Sequence, residues 1–193
     1  MTNPDKPWKM VSLAYSDVLF RQQATPDPAY SNTIGVSIFV CGDYFMSGII
    51  EDKPNKFNEI NHWVNFAYAK AVGLDLPLLC FPAGWGDTER SVKGSVSMGK
   101  ALGWWEQEIR ILSPPRSTLE VDYVPIIPID WSDWTTRLFG TRKRSVKDKA
   151  ILLAGDIAKE KITDHNEAEA ICINRVASYL ETIKVKGLER GKK

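Results

Sequence analysis

Two β-rich runs, TIGVSIFV (33–40) and YFMSGII (44–50), stand either side of Cys41-Gly42-Asp43, and this pairing constrains the fold more than any other feature of the chain. β-branched and aromatic residues favour extended backbone, and a Gly-Asp pair between two such runs signals a hairpin. An antiparallel pair is therefore expected early in the chain. From Asn58 the hydrophobic period changes: Ile60, Trp63, Val64, Phe66, Ala67, Ala71 and Val72 recur at helical spacing, and Gly73 is a natural stop. LPLLCF (76–81) is a continuous apolar run bounded by Pro82, Gly84 and Gly86, the pattern of a parallel strand covered on both faces.

The flanking segments extend this plan. MVSLAYSDVLF (10–20) is apolar enough for a strand, and RQQATPDPAYSN (21–32) is a polar, proline-bearing connector. SVSMGKALGWWEQEIRIL (95–112) has a helical pattern closed by Pro114-Pro115. LEVDYVPIIPI (119–129) is strand-like, and its prolines place it at an edge or a strand end, because proline has no N–H to give the ladder. Helices are expected at 144–159 and 165–184. The order is strand, hairpin, helix, strand, helix, strand, helix, helix. That order predicts an α/β fold, a mixed sheet with helices packed on its faces. A length of 193 residues suits one such domain. Its expected bounds are 10–185, after a loose leader (1–9) and before a basic tail (186–193).

Composition narrows the function classes. No apolar run approaches the roughly 20 residues that cross a bilayer, and the polar start MTNPDKPWK does not resemble a signal, so a cytosolic protein is expected. Cys41, Cys80 and Cys172 are far apart and form no CxxC pair, which argues against a zinc site or disulfide framework and for buried thiols. Net charge is only +1, yet Arg137, Arg142, Lys143, Arg144, Lys147 and Lys149 fall within thirteen residues, and KVKGLERGKK ends the chain. Such clusters neutralise phosphates by counterion release; a solvated helix face is the plainer alternative. Trp104-Trp105 and the Trp131/Trp134 pair are candidates for stacking on unpaired bases or for the core. His62 reads as structural and His165 as a helix-start residue, and two separated histidines make neither a zinc site nor a triad. The loop bearing Gly84, Gly86, Lys93 and Gly94 matches no phosphate-binding fingerprint.

Several stretches carry a family resemblance in their order. Asp27-Pro28-Ala29 leading to Thr33-Ile34-Gly35-Val36, the hairpin after it, LLCFPAG (78–84), GSVSMGKALGWWEQ, VPIIPIDWSDWTTRLFG and DHNEAEAICI (164–173) resemble RuvC-type Holliday junction resolvases of the RNase H-like superfamily, especially phage-type ones. In that family the opening is an Asp-Pro-Gly/Ala turn leading to Thr-Gly. The fourth strand has an apolar pair, a Glu and then a Pro, and the closing helix has Asp-x-x-Asp-Ala. The resemblance spans residues 11–184 and implies an RNase H-like mixed β-sheet.

It also implies Mg²⁺- or Mn²⁺-dependent hydrolysis of a phosphodiester in branched DNA, with two ions about 3.5–4 Å apart held by converging carboxylates. Two symmetric cuts imply a homodimer. The usual carboxylates are one on the first strand, one on the fourth and two on the last helix. Asp27 fits the first position by its spacing to Gly35, and Asp17, at the end of SLAYS, competes with it. Cys80 stands in place of the fourth-strand Glu, and soft sulfur is a poor Mg²⁺ ligand; Asp87 and Glu89 follow in the next loop. Glu169 takes the usual Asp position on the last helix and Asn166 its partner's, with Asp164 and Glu167 flanking. Asp27 and Glu169 are thus the expected core ligands, and Asp164, Asn166 and Glu167 auxiliary ones.

Helical geometry bears on the last group independently. At 100° per residue, Ala168, Cys172, Val176, Tyr179 and Ile183 share one arc, with Glu169 at its edge and Glu167 nearly opposite. A carboxylate beside an apolar arc needs a partner, either a metal or a lysine such as Lys147 or Lys149. Asp164, three residues before Glu167, also reads as a helix N-cap. The incomplete acid set keeps a second reading open, that of a RuvC-like fold that binds nucleic acid or a protein partner without catalysis.

Overall fold

The computed structural model describes residues 9–16, 33–51, 56–83, 105–111, 124–141 and 146–190. Strands β1 (Val11–Tyr15), β2 (Thr33–Val40), β3 (Asp43–Glu51) and β4 (Leu78–Pro82) form one sheet in the order β3-β2-β1-β4. β1 pairs antiparallel with β2 and parallel with β4, so the sheet is mixed, as expected. Helix α1 (Lys56–Leu74) connects β3 to β4, and α2 covers residues 105–111. Three further helices follow: α3 (Trp131–Phe139), α4 (Val146–Ala158) and α5 (His165–Arg190). None of the described helices is long and apolar enough to cross a membrane.

The hairpin is built as its sequence suggests. Cys41 (φ 55°) and Gly42 (φ 84°) both adopt the left-handed region, and Val40 pairs with Asp43 across a two-residue turn. Such turns match the twist of the strands they join. Of the run 119–129, the described residues 124–129 form less than a strand. Ile126 and Ile129 make single parallel bridges to Cys80 and Ala83 on the outer side of β4. Pro125 and Pro128 interrupt the ladder by having no N–H.

Every β1 residue is buried because both faces of the sheet are covered. Val11, Leu13 and Tyr15 pack with Ile34, Val36, Ile38, Leu78 and Cys80 against α1 and α2. Met10, Ala14, Phe39, Leu79, Phe81 and Ala83 pack with α3, α4 and α5. Trp105 stacks on Tyr15 at 4.0 Å, and Trp134 is buried edge-on to Trp131 at 4.7 Å, so Trp105 and Trp134 serve the core, while Trp104 lies outside the described residues.

Two elements differ from expectation. Helix α3 occupies a segment for which no helix is expected; Asp130 precedes it and Gly140, at φ 65°, ends it with a bond from its N–H to the Thr136 carbonyl. Helix α5 runs on through Arg190, so much of the expected basic tail continues the closing helix.

Candidate functional site

The carboxyl ends of β1 and β4 and the start of β2 meet beneath the first turn of α5. Gly35 makes this approach possible, since a Cβ on it would stand 1.9 Å from the Asn166 carbonyl oxygen and 2.3 Å from the Glu167 nitrogen. Only glycine lets strand and helix backbones meet so closely. Beside it, buried Ser16 closes the end of β1: its N–H donates to the Gly35 carbonyl, and its Oγ accepts from the Gly35 N–H, each at 2.8 Å.

Side chains at the start of α5 are spent on this contact. Asp164 caps the helix, its Oδ1 accepting from the N–H groups of Asn166 (2.8 Å) and Glu167 (3.1 Å), which have no intrahelical acceptor. Its Oδ2 accepts from Thr33 Oγ1 at 3.3 Å. Asn166 Nδ2 donates to the Thr33 carbonyl at 2.8 Å and to Thr33 Oγ1 at 3.0 Å, tying the helix to β2. Glu167 reaches the other way and accepts from Ser47 Oγ on β3 at 2.7 Å. Glu169 is half-buried near Cys172; burial first, and then this carboxylate, push the Cys172 thiol up to about 12.

On the sheet, the acid positions read differently from the sequence expectation. Cys80 lies on the far face among Leu13, Val36 and α1, fully buried, and burial pushes its thiol far up. The β4 residues facing α5 are Leu79, Phe81 and Ala83, so Phe81, which directly precedes Pro82, takes the place assigned to Cys80. The β1 residues on this face are Ser12, Ala14 and Ser16, and Ala14 is the register partner of Phe81. Asp27, Asp17, Asp87 and Glu89 lie outside the described residues.

Divalent magnesium demands several oxygen donors at 2.0–2.1 Å, most of them charged or water. Among the described residues no group of three or more His, Cys, Asp or Glu is placed to hold a metal. The described face offers two serines, two alanines, a buried phenylalanine, an amide and a carboxylate already used as a cap, and α5 adds Glu167, held by Ser47, and Glu169. Among the described residues, this donor set does not fit a two-metal centre.

The basic residues lie elsewhere. Arg137 closes α3, and Lys147 and Lys149 are exposed in the first turn of α4; Arg142, Lys143 and Arg144 lie outside the described residues. Helices α4 and α5 form an antiparallel hairpin, with Ala158 and His165 at its bend and Cys172 Sγ 3.9 Å from the Ala150 carbonyl. At ~1.5 Å rise per residue, Lys147 and Lys149 stand about 14–17 Å along α4 from that bend. Lys147 and Lys149 and the acids at the start of α5 therefore occupy opposite ends of the helical hairpin. His62 and His165 are both exposed.

A buried polar layer has no counterpart among the sequence expectations. Ser12 Oγ donates to Asn174 Oδ1 at 2.5 Å, and Asn174 Nδ2 donates to the carbonyls of Ser12 (3.2 Å) and Ser37 (3.0 Å). Ser37 Oγ in turn donates to the Ala170 carbonyl at 2.8 Å. Its one signal in the sequence is an asparagine following the apolar stretch Ala170–Ile173.

No protein-family model matches the sequence, and no curated protein does. Among solved structures, the fold is similar to that of T. thermophilus RuvC in complex with a Holliday junction substrate. The TM-score is 0.59 at 12% identity, over 90% of this chain and 96% of that one. At that identity the likeness is one of fold: an α/β domain whose mixed sheet is flanked by helices, as in RuvC.

Proposed function

We propose that this chain is a structure-selective DNA-binding protein that engages branched DNA of the Holliday junction kind. The observation that carries the reading is the shared fold, which extends over nearly the whole of both chains and is seen there with a junction bound. The cations between Arg137 and Lys149, three of them exposed at the end of α3 and the start of α4, supply the charge to grip phosphates. A four-way junction has two-fold symmetry, so a homodimer is the assembly that suits it. The resemblance also implies Mg²⁺-dependent cleavage, but the described donor set gives no basis for deriving such a step.

The test is a titration of labelled four-way junction and of linear duplex of the same sequence, repeated across salt. Junction preference at low salt is expected, with log K falling linearly in log salt. Changing Lys147 and Lys149 to alanine should make that slope shallower by about 0.9 for each phosphate no longer neutralised. Equal or absent binding of both DNAs at low salt refutes the reading and leaves a protein partner as the occupant.

A further inference from the structure

We infer that the described joint between β1, β2 and the first turn of α5 is fastened by neutral hydrogen bonds and backbone contact and itself holds no divalent cation. The way this joint is held does not depend on the DNA-binding reading above.

Four observations converge on the joint. First, space is missing: the Asn166 carbonyl would lie 1.9 Å from a Cβ on Gly35, so helix and strand backbones are in contact. An ion with its own ligand shell cannot be placed between them. Second, the strand-four position on this face is the Phe81 ring, fully buried in the core shared with α5. A carboxylate there would be enclosed by apolar groups, and a ring supplies no hard donor.

Third, Asn166 acts through its N–H groups. Its Nδ2 satisfies the Thr33 carbonyl and hydroxyl, and an ionised Asp at this position would have no hydrogen to give either. Fourth, the acids on either side already have other work, Asp164 on two backbone N–H groups and Thr33, and Glu167 on Ser47. In a metal centre, converging carboxylates are held together by the ions. Here neutral donors and direct contact hold the helix to the sheet.

The experiment uses the full chain. Thermal unfolding is compared in EDTA, in millimolar Mg²⁺ and in millimolar Mn²⁺. A resident ion at a hundred times its Kd would raise Tm by about 5–10 °C for a chain of this size. A shift below about 1 °C is expected, and a saturable rise of several degrees would overturn the inference. Asn166→Asp should lower Tm equally in EDTA and in Mn²⁺. Restoration of that variant by Mn²⁺ would show carboxylates close enough to share an ion, and would also overturn it.

Discussion

Changing Asn174 to alanine tests how the closing helix is fastened to the sheet. Asn174 is fully buried, and its amide is saturated: Oδ1 accepts from Ser12 Oγ, and Nδ2 serves the Ser12 and Ser37 carbonyls and Ser37 Oγ (3.1 Å). Truncation leaves the Ser12 hydroxyl buried without its acceptor. An orphaned buried group costs about 1–3 kcal/mol, and the emptied volume and weakened carbonyl contacts add to it. We expect a loss of about 3 kcal/mol, which in a chain of this length lowers Tm by about 6–12 °C. Urea unfolding at constant m-value is the assay. Ser12→Ala in the Asn174→Ala background removes the orphan, so the double variant should lose less than the sum of the singles, by about 1–2 kcal/mol. A cost below about 0.5 kcal/mol for Asn174→Ala, or strict additivity in the cycle, would refute the account.

Three further outcomes are expected. Gly35→Ala drives a methyl into the Asn166 backbone and should cost about 3 kcal/mol or more in urea unfolding, because neither backbone is free to yield. Asp164→Ala removes the cap of α5 and should cost about 1 kcal/mol, with Asp164→Asn retaining most of it. Tyr44 donates to Glu160 at 2.6 Å, and burial first, then this carboxylate, push its hydroxyl up to about 12. A phenol raised in the folded state contributes stability below pH 10 that is lost as pH climbs toward 12. Tyr44→Phe should therefore flatten the fall in urea midpoint across that alkaline window.

The hairpin, α1 and the last two helices are legible in the sequence because each rests on local chemistry: a turn at positive φ, or a hydrophobic period of 3.6. Helix α3 is less so, although Trp131, Trp134 and Leu138 have helical spacing and Gly140 is a C-cap residue, because the prolines just before it draw the segment toward a strand. The acid site is harder for a definite reason. In a strand covered on both faces, such as LLCFP, hydrophobicity does not alternate, so sequence cannot say which of two neighbours faces which helix. Cys80 and Phe81 exchange roles on that parity alone. Asp164 carries two readings in the sequence, ligand and cap, and its geometry is that of a cap.

The register of α5 explains why polar residues persist along a buried helix. Asn166 binds Thr33, and eight residues later Asn174 binds Ser37, four residues further along β2. Eight helical residues rise ~12 Å, and four strand residues span ~13 Å, so the two amides match two points of one strand. One residue further, Arg175 donates to the Gly42 carbonyl at the hairpin turn at 3.1 Å. A slip of the helix by one residue would turn each of these groups by about 100° and leave all three unpaired, whereas an apolar face alone would tolerate sliding. Asn166 is thus the first of three anchors that set the height and rotation of α5 on the sheet. An aspartate there would lose the donor that this register requires, which gives the amide a structural reason that needs no metal.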